Sequence, residues 1–302
     1  MFEAQTEAGA APATLAMAQL VATNGWYPTQ GFGQADPYFT MGMIHSFAGT
    51  IPAYGAPRAE GQSLPIMGNQ AFYSLVVPPD LDGEVPVDFN LPDLNGRAAV
   101  GAAGLGTAAP QSLPLTWLIA TGNSAAAPLP GMLAMFVGSV APDGWLAADG
   151  RLLGVPQTYA LFEVLGTAFG GNGTTDFALP DLNGAAPVGA GQGAGVENVG
   201  LGQKAGGAVP GVGLNYLIAL TGTYPRMDGN ASFAETGQYI GQVLPYAGSR
   251  APAGWAFCDG SLLQIDDNVE LFNLIGSSFG GDDVQTFALP DLRGRMLVGQ
   301  PG

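Results

Sequence analysis

Apolar residues in this chain run or alternate over short segments, each closed by Gly, Pro, Asn or Asp. That pattern predicts many short strands separated by tight turns. Met132–Val137 and Val243–Ala247 are apolar runs of strand length, and Trp145–Ala148 predicts a second strand before an Asp-Gly turn. Between Tyr159 and Leu165 the spacing changes: Leu161, Phe162 and Leu165 fall at i, i+1 and i+4, which puts them on one face of a short helix, and Val269–Ile275 repeats the pattern. Phe-Gly-Gly follows both helices as a stop. A Leu-Pro-Asp-Leu-x-Gly segment comes next, extended because the residue before Pro is kept out of the α region. A last strand, such as Arg295–Val298, closes the unit.

These elements are said twice. Gly131–Gly189 and Gly241–Gly299 align at a constant offset of 110 without a gap, and 26 of the 59 paired positions are identical, which marks each stretch as one structural unit. The shared punctuation is Ala-Pro-x-Gly-Trp, Asp-Gly-x-Leu-Leu, Leu-Phe, Phe-Gly-Gly and Phe-Ala-Leu-Pro-Asp-Leu-x-Gly. A divergent third version lies upstream, with Gly42 matching Gly131, Glu60-Gly61 matching Asp149-Gly150, and Phe89–Gly96 matching Phe177–Gly184. There the Trp position is Ala56, and a Pro- and Asp-rich stretch from Pro78 to Asp88 replaces Phe-Gly-Gly. The expected fold is therefore mainly β (α+β): three tandem units of short strands, each with one short helix and its own core. The expected boundaries are an N-terminal arm and strand at 1–28, divergent unit 1 at 29–126, unit 2 at 127–237 and unit 3 at 238–302.

A second repeat runs between the units. Met17–Pro28 aligns with Leu214–Pro225, pairing Leu20 with Leu217, Val21 with Ile218 and Ala22 with Ala219; Leu115–Ala120 is a third version. All three predict strands. Units 1 and 2 are each followed by such a strand, whereas unit 3 reaches Gly302 without one, and the unmatched copy is Met17–Pro28 at the other end of the sequence.

The order Gly-Trp, Cys-Asp-Gly (Cys258–Gly260), Leu-Phe, Phe-Gly-Gly and Phe-Ala-Leu-Pro-Asp-Leu-Arg-Gly resembles the phage tail collar domain, found in short tail fibres and in bacterial microcystin-dependent proteins. The resemblance is close in units 2 and 3 and weak in unit 1. It implies a fibre or appendage component that self-associates and sometimes touches a receptor, without catalytic residues to carry over. The His-rich insertion that such proteins often contain is absent here.

Composition narrows the function classes. Hydrophobic residues make 47% of the chain and charged residues 11%, against about 25% charged in ordinary soluble domains, so much of the surface is neutral and suited to burial between subunits. Apolar runs stay far below the roughly 20 residues of a membrane helix. A net charge of −16, with Lys204 and seven Arg against 24 acids, provides no basic patch for nucleic acid. Met1–Glu7 carries acids where a secretory signal has positive charge, so any export is expected by another route or by a signal removed upstream of this numbering.

No catalytic, cofactor or metal site is expected. His45 is the single histidine, which excludes a repeated metal site and leaves no material for a Ser-His-Asp set. Asp143, Asp149, Asp181, Asp259, Asp266, Asp267, Asp282, Asp283 and Asp291 invite a calcium reading, but most sit in Asp-Gly or Pro-Asp turns where the carboxylate caps its own backbone. Cys258 replaces Ala148 of unit 2 and is expected to fill core. Trp145, Phe169, Phe177 and their partners Trp255, Phe279 and Phe287 are expected core anchors. Trp26, Tyr54, Trp117 and Tyr216 stand outside that set and are expected at subunit contacts.

The expected function is a non-catalytic subunit that polymerises head to tail into an extracellular filament. In that reading the N-terminal strand, with Met17, Leu20, Val21, Ala22, Trp26 and Tyr27, completes unit 3 of the next copy, so that the protein's partner is itself. The alternative is a tail-fibre-like adhesion protein that binds a cell-surface receptor or glycan.

Overall fold

The structure is a computed structural model, and it describes residues 13–22, 41–48, 57–76, 86–101, 112–121, 129–138, 141–142, 144–206, 209–222, 224 and 238–299. The first element among the described residues is β1 (Ala13–Val21). Unit 1 follows as β2 (Met43–Phe47), β3 (Ser63–Pro65), α1 (Gln70–Val76), β4 (Asp88–Asn90) and β5 (Ala98–Gly101). After β6 (Ser112–Ala120), unit 2 comprises β7 (Leu133–Phe136), β8 (Trp145–Ala147), β9 (Leu152–Gly154), a single 3-10 turn, α2 (Tyr159–Leu165), β10 (Asp176–Ala178), β11 (Ala186–Gly189) and β12 (Lys204–Ala205). After β13 (Gly211–Ala219), unit 3 comprises β14 (Gln242–Tyr246), β15 (Trp255–Phe257), β16 (Leu262–Gln264), α3 (Val269–Ile275), β17 (Thr286–Ala288) and β18 (Arg295–Gly299). The fold is mainly β with three short helices among the described residues.

Each unit projects one small lobe, a two-stranded hairpin with its helix: β3 with β4, β9 with β10, and β16 with β17. The Phe-Gly-Gly motif shapes the last two. At Gly171 and Gly281 φ is +89° and +104°, and a Cβ there would stand 2.4 and 2.5 Å from the Cα of Phe177 and Phe287. Only glycine lets the chain pass so close to the strand that carries the buried ring.

The long strands β1, β6 and β13 tie the units together. The first half of β6 runs parallel to β5 of unit 1 (Ala98 opposite Ser112), and its second half runs antiparallel to β7 of unit 2 (Ile119 opposite Leu133). β13 does the same between β11 and β14. β1 makes the third such tie, parallel to β18 (Ala13 opposite Arg295, Met17 opposite Gly299) and antiparallel to β2 (Val21 opposite Ile44). The strand expected to complete unit 3 of a neighbouring copy completes unit 3 of its own chain. The three units close a ring in which β1 covers the edge of β18 and continues onto β2, so the free edge is satisfied within the chain.

The ring has approximate threefold symmetry. Gly42 O accepts from Val137 N at 3.1 Å, Gly131 O from Ala247 N at 2.9 Å, and Gly241 O from Ala48 N at 3.0 Å, each bond passing from one unit to the next. All three glycines have φ between +79° and +90°. Around the centre β2, β7 and β14 meet pairwise, with Met43 opposite Phe136, Met132 opposite Tyr246, and Gln242 opposite Phe47.

The units are not independent, contrary to the expectation of separate cores. One 12-stranded sheet runs through all three. One apolar cluster joins Phe72 and Phe89 of unit 1 to Leu161 and Phe177 of unit 2, and another joins Met17 and Leu20 of β1 to Leu271 and Phe287 of unit 3. A central cluster gathers Met43, Phe136, Trp145, Leu217, Tyr246 and Trp255 from all three units.

Candidate functional site: the joint of unit 3 with unit 1

Nine consecutive residues of β1 build this joint. Met17 and Leu20 are buried in the cluster of unit 3, and Ala22, also buried, donates its N–H to Met43 O at 2.9 Å and accepts from Gly42 N at 2.9 Å. Val21 occupies its register position opposite Ile44. Trp26 and Tyr27 lie outside the described residues, as does Tyr54. Trp117 and Tyr216, expected at contacts between subunits, are buried at joints between units of one chain: Trp117 opposite Met135 and Tyr216 opposite Pro245. They are the residues of β6 and β13 that correspond to Gln19 of β1.

The joint contains polar groups that the sequence reading missed. Ser46 donates from Oγ to Gln19 Oε1 at 2.9 Å, and Gln242 Nε2 stands 3.0 Å from His45 Nδ1 while its Oε1 accepts from Tyr239 N. The signal was available in the alignment of the strands: Gln19 stands where Trp and Tyr occur in the other ties, and Gln242 where Met43 and Met132 occur.

The expected core anchors divide. Phe177 and Phe287 are fully buried, each against the phenyl ring of its own helix, with Phe162–Phe177 and Phe272–Phe287 centroids both 5.5 Å apart. Trp145 and Trp255 are buried too, in the central cluster shared by the units. Phe169 and Phe279 are half-buried at the margin of their units' clusters.

The turn aspartates cap backbone, as their positions imply. Arg151 N, Asn183 N, Ser261 N and Arg293 N each donate to the aspartate two residues before them. The Asp-Gly and Pro-Asp turns meet, so that Glu60 bridges Asp93, Asp149 bridges Asp181, and Asp259 bridges Asp291. Arginines offset the charge in each unit: Arg58 on Glu60 and Arg97 on Asp93 in the first, Arg151 on Asp149 in the second, Arg293 and Arg295 on Asp291 in the third. Hydrogen bonds from the Arg151 side chain hold Asp149 below the usual carboxylate range. At Asp291 burial acts upward, but the bonds from Arg293 and the charges of Arg293 and Arg295 outweigh it. Asp282 accepts backbone N–H from Thr286, Gln285 and Val284, which lowers it to about 2. Among the described residues no group of three or more His, Cys, Asp or Glu is placed to hold a metal ion.

A half-open cavity of about 180 Å³ lies where unit 2 meets unit 3, lined by Asn215, Tyr216, Cys258, Asp259 and Arg293 among others. Burial pushes the Cys258 thiol well up, and likewise the Tyr216 phenol, which donates to Pro187 O at 3.1 Å. A buried thiol whose charged form is disfavoured is a poor nucleophile. What the joints do chemically is hold strands.

The phage tail collar domain model matches residues 131–187 and again 241–297. These are units 2 and 3; unit 1, which among the described residues has no strand corresponding to β8 and β15, is not matched. Comparison with curated proteins and with solved structures finds no match. The collar domain is a structural domain of tail fibres, not known as catalytic, and its two occurrences point to a structural protein of the tail-fibre type and to a tail appendage. No helix among the described residues is long and apolar enough to cross a membrane.

Proposed function

We propose that this protein is a non-catalytic structural subunit that assembles head to tail into an extracellular filament, each copy passing its β1 into the collar ring of the next. The carrying observation is the joint itself. Units 1 and 2 are tied by β6 and units 2 and 3 by β13, both continuous in the chain between the units they join, whereas β1 and β18 come from opposite ends of the sequence and meet only through non-covalent contacts. The 18 residues from 23 to 40 connect Ala22 to Met41, although Gly42 already hydrogen-bonds Ala22 at 2.9 Å. Fully extended, 18 residues reach about 60 Å, far more than the distance between the bonded Ala22 and Gly42 and enough to deliver β1 to a neighbour. The same contacts then serve between copies, as in domain swapping, and because the donor and acceptor surfaces differ the contact propagates as a filament wherever its rotation does not close a ring. The low charge of the chain suits a surface covered by other copies.

The test is to unfold the full chain, refold it at rising concentration and follow mass by light scattering and shape by electron microscopy. Concentration-dependent linear polymers are expected. A product that remains one chain in size at every concentration overturns the reading.

A second reading, adhesion to a cell-surface receptor or glycan, draws on the tip of the unit 1 lobe. Met67 and Val87 are 85% and 84% exposed just past the paired ends of β3 and β4, where the Ile66 N to Val87 O bond extends the hairpin. Most of the Pro78–Asp88 stretch beside it lies outside the described residues.

A further inference from the structure

The joint of unit 3 with unit 1 differs from its two counterparts in what it buries. At the same rung of the three ties, Gln19 faces Ser46, Trp117 faces Met135, and Tyr216 faces Pro245. Gln19 and Ser46 are 5% and 3% exposed and bonded to each other. On the neighbouring strand of the same joint, Gln242 reaches across from unit 3 to His45 of unit 1, where the equivalent positions are Met43 and Met132. Of the four buried polar residues among those described, Gln19, Ser46 and Gln242 are all here, and Thr121 is the fourth.

Buried polar pairs of this kind add little net stability but penalise wrong partners heavily, because a side chain moved to an apolar site loses its bond without regaining water. The penalty corresponds to roughly tenfold or more in an equilibrium constant. Three tie strands of similar length and pattern present the chain with an ambiguity, since each could seat in any of three similar grooves. β1 placed against β7 or β14 would set the Gln19 amide against Met135 or Pro245. β6 or β13 placed against β2 would press an aromatic ring on the Ser46 hydroxyl.

We propose that Gln19–Ser46, supported by His45–Gln242, is a polar key that admits β1, from its own chain or from a second copy, to the unit 3–unit 1 joint and excludes the other two ties. Polar positions in apolar seams specify register and partner in coiled coils by the same physics. The identity of the copy that supplies β1 rests on the assembly reading above, whereas the selectivity of the joint does not.

The experiment offers the full-length chain three labelled synthetic peptides, residues 13–22, 112–121 and 211–220, and measures their uptake at the joint. The 13–22 peptide is expected to enter at concentrations at least about tenfold lower than the others. Its Gln19→Leu form should enter the native chain about tenfold more weakly, yet recover on a Ser46→Ala chain, where no hydroxyl is left without its partner. Uptake of all three peptides within about threefold of one another, or an unchanged Gln19→Leu peptide, overturns the proposal. If no peptide enters, hydrogen exchange of the β1 amides in full-length Gln19→Leu, Ser46→Ala and doubly substituted chains decides. The double change is expected to lower protection no more than the worse single one, and losses that multiply independently overturn the key. A chain that never polymerises defeats the assembly reading while both of these measurements still stand.

Discussion

Met17 lies opposite Gly299 in a parallel ladder, the last rung of a contact that joins the first described strand of the chain to the last. Beyond Met17 the same strand turns its allegiance to β2, so that β1 holds unit 3 with one half and unit 1 with the other. The stability of the ring therefore depends on residues far from the collar motifs.

Leu20, 4% exposed and packed in the cluster of unit 3, measures that dependence. Leu20→Ala is expected to cost about 2 to 5 kcal/mol in urea unfolding of the full chain, as for a leucine removed from a packed interior. A change below about 0.5 kcal/mol would show that β1 contributes nothing to the ring.

Trp255→Ala is expected to cost about 3 to 5 kcal/mol, and Trp145→Ala a similar amount. Both rings stand in the central cluster rather than in a single unit, so the loss should appear in the unfolding of the whole ring and not as a separate early transition.

Gly281 and Gly276 separate steric from conformational cost. Both have positive φ, +104° and +54°, but a Cβ at Gly281 would lie 2.5 Å from Phe287 Cα while one at Gly276 meets nothing within 4 Å. At Gly276 ψ is −148°, outside the left-handed helical well and in a region that glycine alone populates freely, so Gly276→Ala should cost about 1 to 3 kcal/mol from conformation alone. Gly281→Ala should cost clearly more, and equal losses in thermal unfolding would contradict the close-approach account of Phe-Gly-Gly.

Acid should weaken the fold in a defined window. Asp149 and Asp291 are held below the ordinary aspartate value and Asp282 at about 2, so between about pH 4 and pH 2 the unfolded chain binds more protons than the folded one. Stability supplied by these carboxylates is fully present above pH 4 and is lost as the pH falls through their folded values. Urea midpoints measured across that range should decline, and Asp282→Asn should flatten the lower end of the decline; a constant midpoint would refute the assignment.

Cys258 is 3% exposed with its thiol pushed up by burial. The native chain is expected to resist a thiol reagent at pH 8 and to react stoichiometrically once unfolded. Prompt labelling of the folded protein would show that the cavity beside it opens to solvent.

What the sequence by itself determined is the content of each unit. The helices at Tyr159–Leu165 and Val269–Ile275, the Asp-Gly turns, the stop at Phe-Gly-Gly and the burial of Phe177, Phe287, Trp145 and Trp255 all follow from spacings of a few residues repeated at a fixed offset, and local geometry acts over that range. The sequence also identified three related strands. The tertiary structure decided where the strands go. β1 begins at Ala13 rather than Met17, the short lobe hairpins such as β9 with β10 pair across 21 or more residues, and the ring of Gly42, Gly131 and Gly241 bonds exists only when three units meet. An edge strand exposes the same N–H and C=O groups to every candidate, so the pairing of β18 with β1, and the choice of Gln19 and Ser46 as its buried partners, arises from the closed arrangement of the whole chain and from no segment of it.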